Sequence, residues 1–367
     1  MKKVCIVSHL SDLSGANCAL VRLCTQLKLK KLDFFVLAPR RGLLTDKLDA
    51  LGISYRIFYY ATWIDKINSK KKWIKSIVNF CADIRFILLC IKKRVGVVHY
   101  NSVAVGLGAK YLHLLNIPYI WHVREYIDED IFDFHDKDLL IQCINNARTI
   151  LYVSKSIKEK YRGWFLNKNY QIIYDGVEIK DRFIYSENDY CNLLVVGGVE
   201  RNKGQDQAIK AIAGIEGYNV QLYIVGPIND YEYYSELRTI IEKYDMEDRV
   251  IFTDYTSNVD HYRQSCGIAL ICSEYESFGL VTIEAMNVGE CVIGADTGGT
   301  REILAYGKYG QLYQHGNIEE LKKCIINMIE SYKMMDEVVI NAQVYVENNF
   351  SIKKTTDDIL RIYESYL

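Results

Sequence analysis

Residues able to do chemistry are densest from Ser273 to Met286, where the chain reads Ser-Glu-Tyr-Glu-Ser-Phe-Gly-Leu-Val-Thr-Ile-Glu-Ala-Met. Seven residues separate Glu276 from Glu284, and Ser277 or the turn at Gly279 opens a helix. The first amides of that helix, from Phe278 through Gly279 to Leu280, have no intrahelical partners and can receive a phosphate. A glutamate just before the helix and another inside it can face one cleft at the carboxyl end of the preceding strand. There they suit hydrogen bonds from sugar or ribose hydroxyls. An isolated pair of glutamates would instead be read as a helix cap and a surface ion pair, so the surroundings decide between the two.

Those surroundings begin at Leu193, with a strand, a turn at Gly197 and Gly198, and a helix start carrying Arg201 and Lys203. Backbone amides and an ammonium in such a turn can neutralise a departing diphosphate. Downstream, Asp296-Thr-Gly-Gly-Thr-Arg-Glu302 offers Gly298 and Gly299 for close backbone approach. In the first half, Ser14-Gly15-Ala16-Asn17 follows the first strand, His99 and Asn101 end another, and Trp121-His122-Val123-Arg124-Glu125 ends the next. A lone histidine at a strand end is usually structural. The neighbours of His122 raise it above that.

The elements that must position these residues alternate, with short apolar runs followed by helical periods throughout. That is the pattern of βαβ units around parallel sheets, and the class is α/β. Strands are expected at Val4–Ser8, Phe34–Ala38, Tyr55–Phe58, Val95–Tyr100, Tyr119–His122, Thr149–Val153 and Gln171–Ile173. A second series is expected at Asn192–Val196, Val220–Val225, Val250–Phe252, Ile268–Ile271 and Cys291–Gly294. The polar stretch Asp175–Tyr190 between them reads as a hinge. This divides the chain into a first domain, 1–178, and a second, 190–350, with a last helix over 351–367 opened by Ser351 as N-cap.

A length of 367 residues, half of them apolar, agrees with two cores. Up to Asp175 the chain carries 28 Lys and Arg against 15 Asp and Glu, and the remainder 17 against 31. A basic half collects anionic surfaces. The eleven cysteines form no Cys-x-x-Cys pair and sit mostly in apolar runs, as core residues of a reduced cytoplasm do. The first apolar run is too short for a signal peptide. Trp73 to Ile91 is interrupted by Lys75, Asp83 and Arg85, so it reads as an amphipathic helix rather than a span. Residues 66–94 contain nine Lys or Arg, with Trp73, Ile74, Ile77, Phe80 and Ile84 at helical spacing. That composition fits either peripheral attachment to an anionic membrane surface or a solvated helix face. No nucleic-acid module is recognisable, and nucleic acid is not an expected partner. Asp128-Glu-Asp130 and Asp136-Lys-Asp138 match an Asp-x-Asp metal pattern but follow no strand, and are expected to be solvated loop charges. No required metal and no cofactor are expected.

The two glutamates with Phe-Gly between them resemble the signature of glycosyltransferase family 4 and its relatives with the GT-B fold, in which two Rossmann-like domains face a cleft. The family's phosphate turn usually reads Gly-Arg…Lys-Gly; here Lys203-Gly204 is kept, Gly198 stands at the arginine position, and Arg201 is the candidate replacement. Gly298-Gly299…Glu302, the return strand within Gly307–Tyr313, the hinge Ile173-Tyr-Asp-Gly-Val177 and Phe350-Ser351 before a crossing-back helix are similar as well. The resemblance covers nearly the whole chain and is densest from Leu193 to Tyr313.

It implies a retaining transfer from a nucleoside-diphosphate sugar to a hydroxyl of a glycan or lipid-linked acceptor, in bacterial surface polysaccharide (O-antigen or capsule) assembly. Glu276 would hold donor hydroxyls, Glu284 the ribose, and Lys203, Gly198, Arg201, Ser277 and the amides of Phe278, Gly279 and Leu280 the diphosphate. Gly15 and Gly299 would admit the donor, His122 would contact its sugar, and Asn17, His99, Asn101 and Arg124 would face the acceptor. A cytoplasmic enzyme, peripheral at the inner membrane face, is implied. A sugar-nucleotide epimerase of the same architecture and a catalytically silent sugar-nucleotide-binding subunit are the alternatives.

Overall fold

A computed structural model describes residues 2–67, 72–256 and 258–367. The chain divides into two compact units, Met1–Gly176 with Ile352–Leu367, and Val177–Ser351. The polar stretch read as a hinge lies against the second unit. Asn287 Nδ2 donates to Glu178 O at 2.8 Å, and Phe183 N to Val288 O at 2.8 Å.

In chain order the first unit contains β1 (Lys3–Val7), α1 (Gly15–Leu29), β2 (Phe34–Ala38), α2 (Leu43–Ala50), β3 (Tyr55–Ile57), β4 (Ile64–Lys66) and α3 (Lys72–Lys93). It continues through β5 (Val95–Tyr100), β6 (Tyr119–Val123), β7 (Phe132–Phe134), α4 (Lys137–Asn145), β8 (Thr149–Tyr152), α5 (Lys155–Lys160) and β9 (Tyr170–Ile172). Seven strands form a parallel sheet in the order β3-β2-β1-β5-β6-β8-β9. Strands such as Phe34–Ala38 are buried along their whole length, as strands covered on both faces must be. Asp136 and Ser154 cap α4 and α5 by accepting from Leu139 N and Ile157 N. The short antiparallel ribbon of β4 and β7 had no signal, because three residues a strand are too few for a period.

The second unit contains β10 (Asn192–Val196), α6 (Gln205–Ala213), β11 (Gln221–Val225), α7 (Tyr231–Lys243), β12 (Val250–Thr253), α8 (Asp260–Arg263) and β13 (Ile268–Ile271). It ends with α9 (Leu280–Val288), β14 (Cys291–Ala295), α10 (Gly298–Ile303), β15 (Gln311–Tyr313), α11 (Ile318–Glu330) and α12 (Met335–Phe350). Its parallel sheet runs β12-β11-β10-β13-β14-β15. The last helix, α13 (Ile352–Glu364), belongs to the first unit. Its Asp357 pairs with Lys30 at 2.5 Å, and Thr355 Oγ1 donates to Tyr174 O at 2.8 Å.

Each sheet has one place where the strand order reverses, between β1 and β5 in the first unit and between β10 and β13 in the second. The loops leaving adjacent strands there run to opposite sides and leave a crevice at the strand carboxyl ends, where doubly wound sheets bind ligands. Sequence-predicted residues of both clusters lie at the ends of these strands, with His122 and Arg124 at the end of the neighbouring β6.

Candidate active site

In the second unit, the turn after β10 and the loop after β13 meet. Lys203 Nζ lies 3.1 Å from Glu276 Oε2, and Glu274 N donates to Asn202 O at 3.1 Å. Both side chains are partly buried, and the charge of Glu276, against the cost of burial, raises the Lys203 ammonium above its ordinary value. Gly204, in the left-handed region at φ 63°, lets the turn close: a Cβ there would stand 2.4 Å from Cys272 O. Gly279, at φ 108°, begins α9, so Phe278, Gly279 and Leu280 lead into its first turn as expected.

Two further glycines wrap the Glu276 loop. Gly299 N donates to Glu276 O at 2.7 Å, and Cβ atoms at Gly298 and Gly299 would fall 2.5 Å from Glu276 O and 2.0 Å from Phe278 O. The Gly-Gly pair therefore serves to seat α10 on the loop that carries Glu276, Ser277 and Phe278.

Glu284, on α9, is met from behind by Arg263, with Nη2 at 3.6 Å from its Oε2. Arg263 is buried and also ion-pairs with the buried Glu290. Burial pushes the Glu290 carboxyl up to about 7, against the pull of Arg263. Sequence spacing could not reveal this triad, since its members come from α8, α9 and the residue before β14.

Gly198 and Arg201 are placed differently from Lys203. A Cβ at Gly198 would stand 2.2 Å from Asn229 Nδ2, so an asparagine amide fills the space in which the family's arginine would begin. Arg201 grips Glu236 with both terminal nitrogens, Nη1 donating at 2.7 Å to Oε2, and lies over the Tyr233 ring. It does not line the small pocket that Lys203 and Glu276 share with Val195, Cys272, Ser273 and Val281.

In the first unit the structure joins His99, Asn101, His122 and Arg124 in one buried network. Arg124 Nε donates to Asn101 Oδ1 at 3.0 Å, Nη1 to Asp175 Oδ2 at 2.6 Å and Nη2 to His122 Nδ1 at 3.2 Å. A guanidinium only donates, so His122 Nδ1 accepts and the ring carries its proton on Nε2. His99 stacks on His122, centroids 5.5 Å apart, and its Nδ1 meets Tyr363 Oη at 2.5 Å. Burial first, and Arg124 second, push His99 down to about 3 and hold His122 well below the usual histidine range. Both rings are neutral. Asn101 Nδ2 donates at 3.1 Å to Ala16 O, tying in the first turn of α1 that Gly15 opens. Asn17 is buried and committed to its own loop, accepting from Ser8 Oγ at 2.7 Å and donating to Asp12 O at 3.0 Å. Asp175 is the residue here that spacing missed, because it follows β9 while Arg124 follows β6.

Residues 178–345 match the family described as Glycosyl transferases group 1. That match lies wholly within the second unit. The chain is a glycosyltransferase with two parallel-sheet domains of the GT-B kind. An uncharacterized glycosyltransferase of Methanocaldococcus jannaschii, MJ1178, is 26% identical to it over 279 residues, 72% of this chain and 74% of its own. The N-acetyl-alpha-D-glucosaminyl L-malate synthase of Bacillus anthracis is 25% identical over 225 residues, 61% of this glycosyltransferase and 58% of its own length. The capsular polysaccharide biosynthesis glycosyltransferase CapM of Staphylococcus aureus is 21% identical over 195 residues, 53% and 51% of the two chains. The crystal structure of Anabaena HepE with UDP and glucose has the same fold, with a TM-score of 0.83, 18% identity and all of both chains covered.

Proposed function

We propose that this glycosyltransferase moves a sugar from a nucleoside diphosphate, most simply UDP, to a hydroxyl of a glycan or lipid-linked acceptor with retention at the anomeric carbon. The carrying observation is the Lys203–Glu276 pair, 3.1 Å apart at the switch point of the second unit. One member supplies positive charge for a diphosphate and the other accepts from sugar hydroxyls. Glu284 takes the ribose, and the first amides of α9 take the phosphate. As the bond from the anomeric carbon to the diphosphate oxygen breaks, the acceptor oxygen bonds on the same face, and its proton passes to the departing phosphate oxygen. Lys203 and the amides of α9 supply the positive charge, so the reading includes no required metal. Titrating in a chelator is expected to leave the rate unchanged.

CapM of Staphylococcus aureus, a capsular polysaccharide glycosyltransferase by name, supports a place in surface polysaccharide (O-antigen or capsule) assembly. The reading also takes the enzyme to be cytoplasmic and to work at the inner membrane face, drawn there by the basic segment 66–94. The test is calorimetric titration with UDP- and GDP-sugars, followed by turnover with membrane lipid extract and assignment of the product's anomeric configuration. Lys203→Ala and Glu284→Ala are each expected to weaken donor binding by about tenfold or more, the loss of one charge-assisted contact. Undiminished binding in both variants sinks the assigned roles. Donor consumed without acceptor would favour an epimerase.

A further inference from the structure

Helix α3 carries its apolar residues on the wrong side for a core helix. Ala82, Phe86 and Cys90 face inward, whereas Trp73, Ile77, Phe80, Ile84, Leu88 and Ile91 recur every three or four residues on the opposite face, each 49–66% exposed. A surface helix of a globular protein normally turns charged residues outward. An unbroken exposed apolar stripe about five turns long marks an interaction surface.

The basic residues of this segment do not lie among the stripe. Lys75 is bound to Asp65, Arg85 stands 5.0 Å over the Phe58 ring, and the neighbouring Lys110 pairs with Asp83 at 3.3 Å. Lys66 and Lys72 have undescribed side chains, and residues 68–71, with Lys70 and Lys71, lie outside the described residues. The described cations left for a partner are Lys92 and Lys93, in the last turn of the helix, and Arg94, which follows it. Apolar residues along the helix with a basic cluster at its carboxyl end match a bilayer contacted by a helix lying flat, its apolar side chains among the acyl chains and its basic end on headgroup phosphates. A second copy of this chain would bring like charge against like charge, since the first unit holds 28 Lys and Arg against 15 Asp and Glu up to Asp175. No helix among the described residues is long and apolar enough to cross a membrane, so the contact is interfacial.

We infer that α3 is an interfacial helix that inserts Trp73, Ile77, Phe80, Ile84, Leu88 and Ile91 into the surface of an anionic bilayer. This deepens the proposed membrane location and changes its nature, with apolar burial and not charge alone holding the enzyme. The full chain is floated with vesicles of phosphatidylethanolamine and phosphatidylglycerol, in low and high salt, beside Ile77→Glu/Ile84→Glu/Leu88→Glu. Wild type is expected to co-float in both salts, with a blue shift of Trp73 emission that Trp73→Phe removes. Each glutamate is expected to weaken partition by about tenfold or more. The triple variant should stay in solution with its circular dichroism and UDP titration unchanged, which separates lost docking from misfolding and from failure of the donor site.

Three results overturn the inference: co-flotation of the triple variant, complete release of wild type at high salt, or wild-type dimers that the triple variant dissolves. UDP binding that fails while flotation succeeds strikes the proposed reaction and leaves the helix assignment standing.

Discussion

At the residue scale, Arg263 separates folding from binding. Buried between Glu290 and Glu284, it neutralises one carboxylate and orients the other. Breaking a buried pair leaves an uncompensated charge, a cost of about 3–5 kcal/mol, while replacing both partners by apolar groups is often neutral. Arg263→Met is therefore expected to lower the melting temperature sharply, and Arg263→Met/Glu290→Met to recover most of the loss. Donor affinity should stay weakened in the double variant, because Glu284 has lost its partner; full recovery in a UDP titration would exclude the positioning role. The two glutamates and Lys203 were legible from spacing, since a βα turn places Lys203 and Glu276 within a few residues of a strand end and Glu284 in the helix that the second turn opens. Arg263, Asp175 and Asn229 were not, because each meets its partner across more than twenty residues of chain.

At the element scale, the seating of α10 on the Glu276 loop depends on a glycine pair. Gly299→Ala would set a methyl 2.0 Å from Phe278 O, and the loop must shift. Overpacking of this kind costs about 1–3 kcal/mol. The expected result is a larger loss in kcat/KM than in melting temperature, measured side by side, because the displaced loop carries Glu276. The first unit's polar network gives a pH test. The folded pKa of His99, about 3, lies below its ordinary 6.5, so the unfolded chain takes up the proton first. Stability supplied by the neutral ring is complete above about 6.5 and is lost as pH falls toward the folded value. The thermal stability of the first unit should fall on acidification below pH ~6.5, and His99→Gln should flatten that dependence. An unaltered slope in His99→Gln would show that other groups carry it.

At the scale of the whole molecule, two separately cored units predict that a donor acts on one of them. UDP is expected to raise the unfolding temperature of the second unit and leave the first unmoved in calorimetry, as a ligand that binds one folded unit must. The α/β class and most strands, Phe34–Ala38 and Asn192–Val196 among them, followed from sequence alone, because a strand buried on both faces is an unbroken apolar run. The β4–β7 ribbon escaped, being stabilised by pairing and not by any local period. Helix α3 was legible as a helix, yet periodicity is blind to which side of a helix meets the protein. Phe86 and Phe80 are equally apolar in sequence; only the packing of α3 against its own unit turned one inward and the other to solvent. What sequence determined are the local matters, namely strand, turn, helix start and the charges a few residues from them. What tertiary structure decided are the long-range pairings: Arg263 behind Glu284, Asn229 in the space beside Gly198, and Tyr363 of the last helix on His99. The physical reason is that propensity and periodicity act over a turn or a strand, whereas these contacts exist only after the sheets have brought distant segments together.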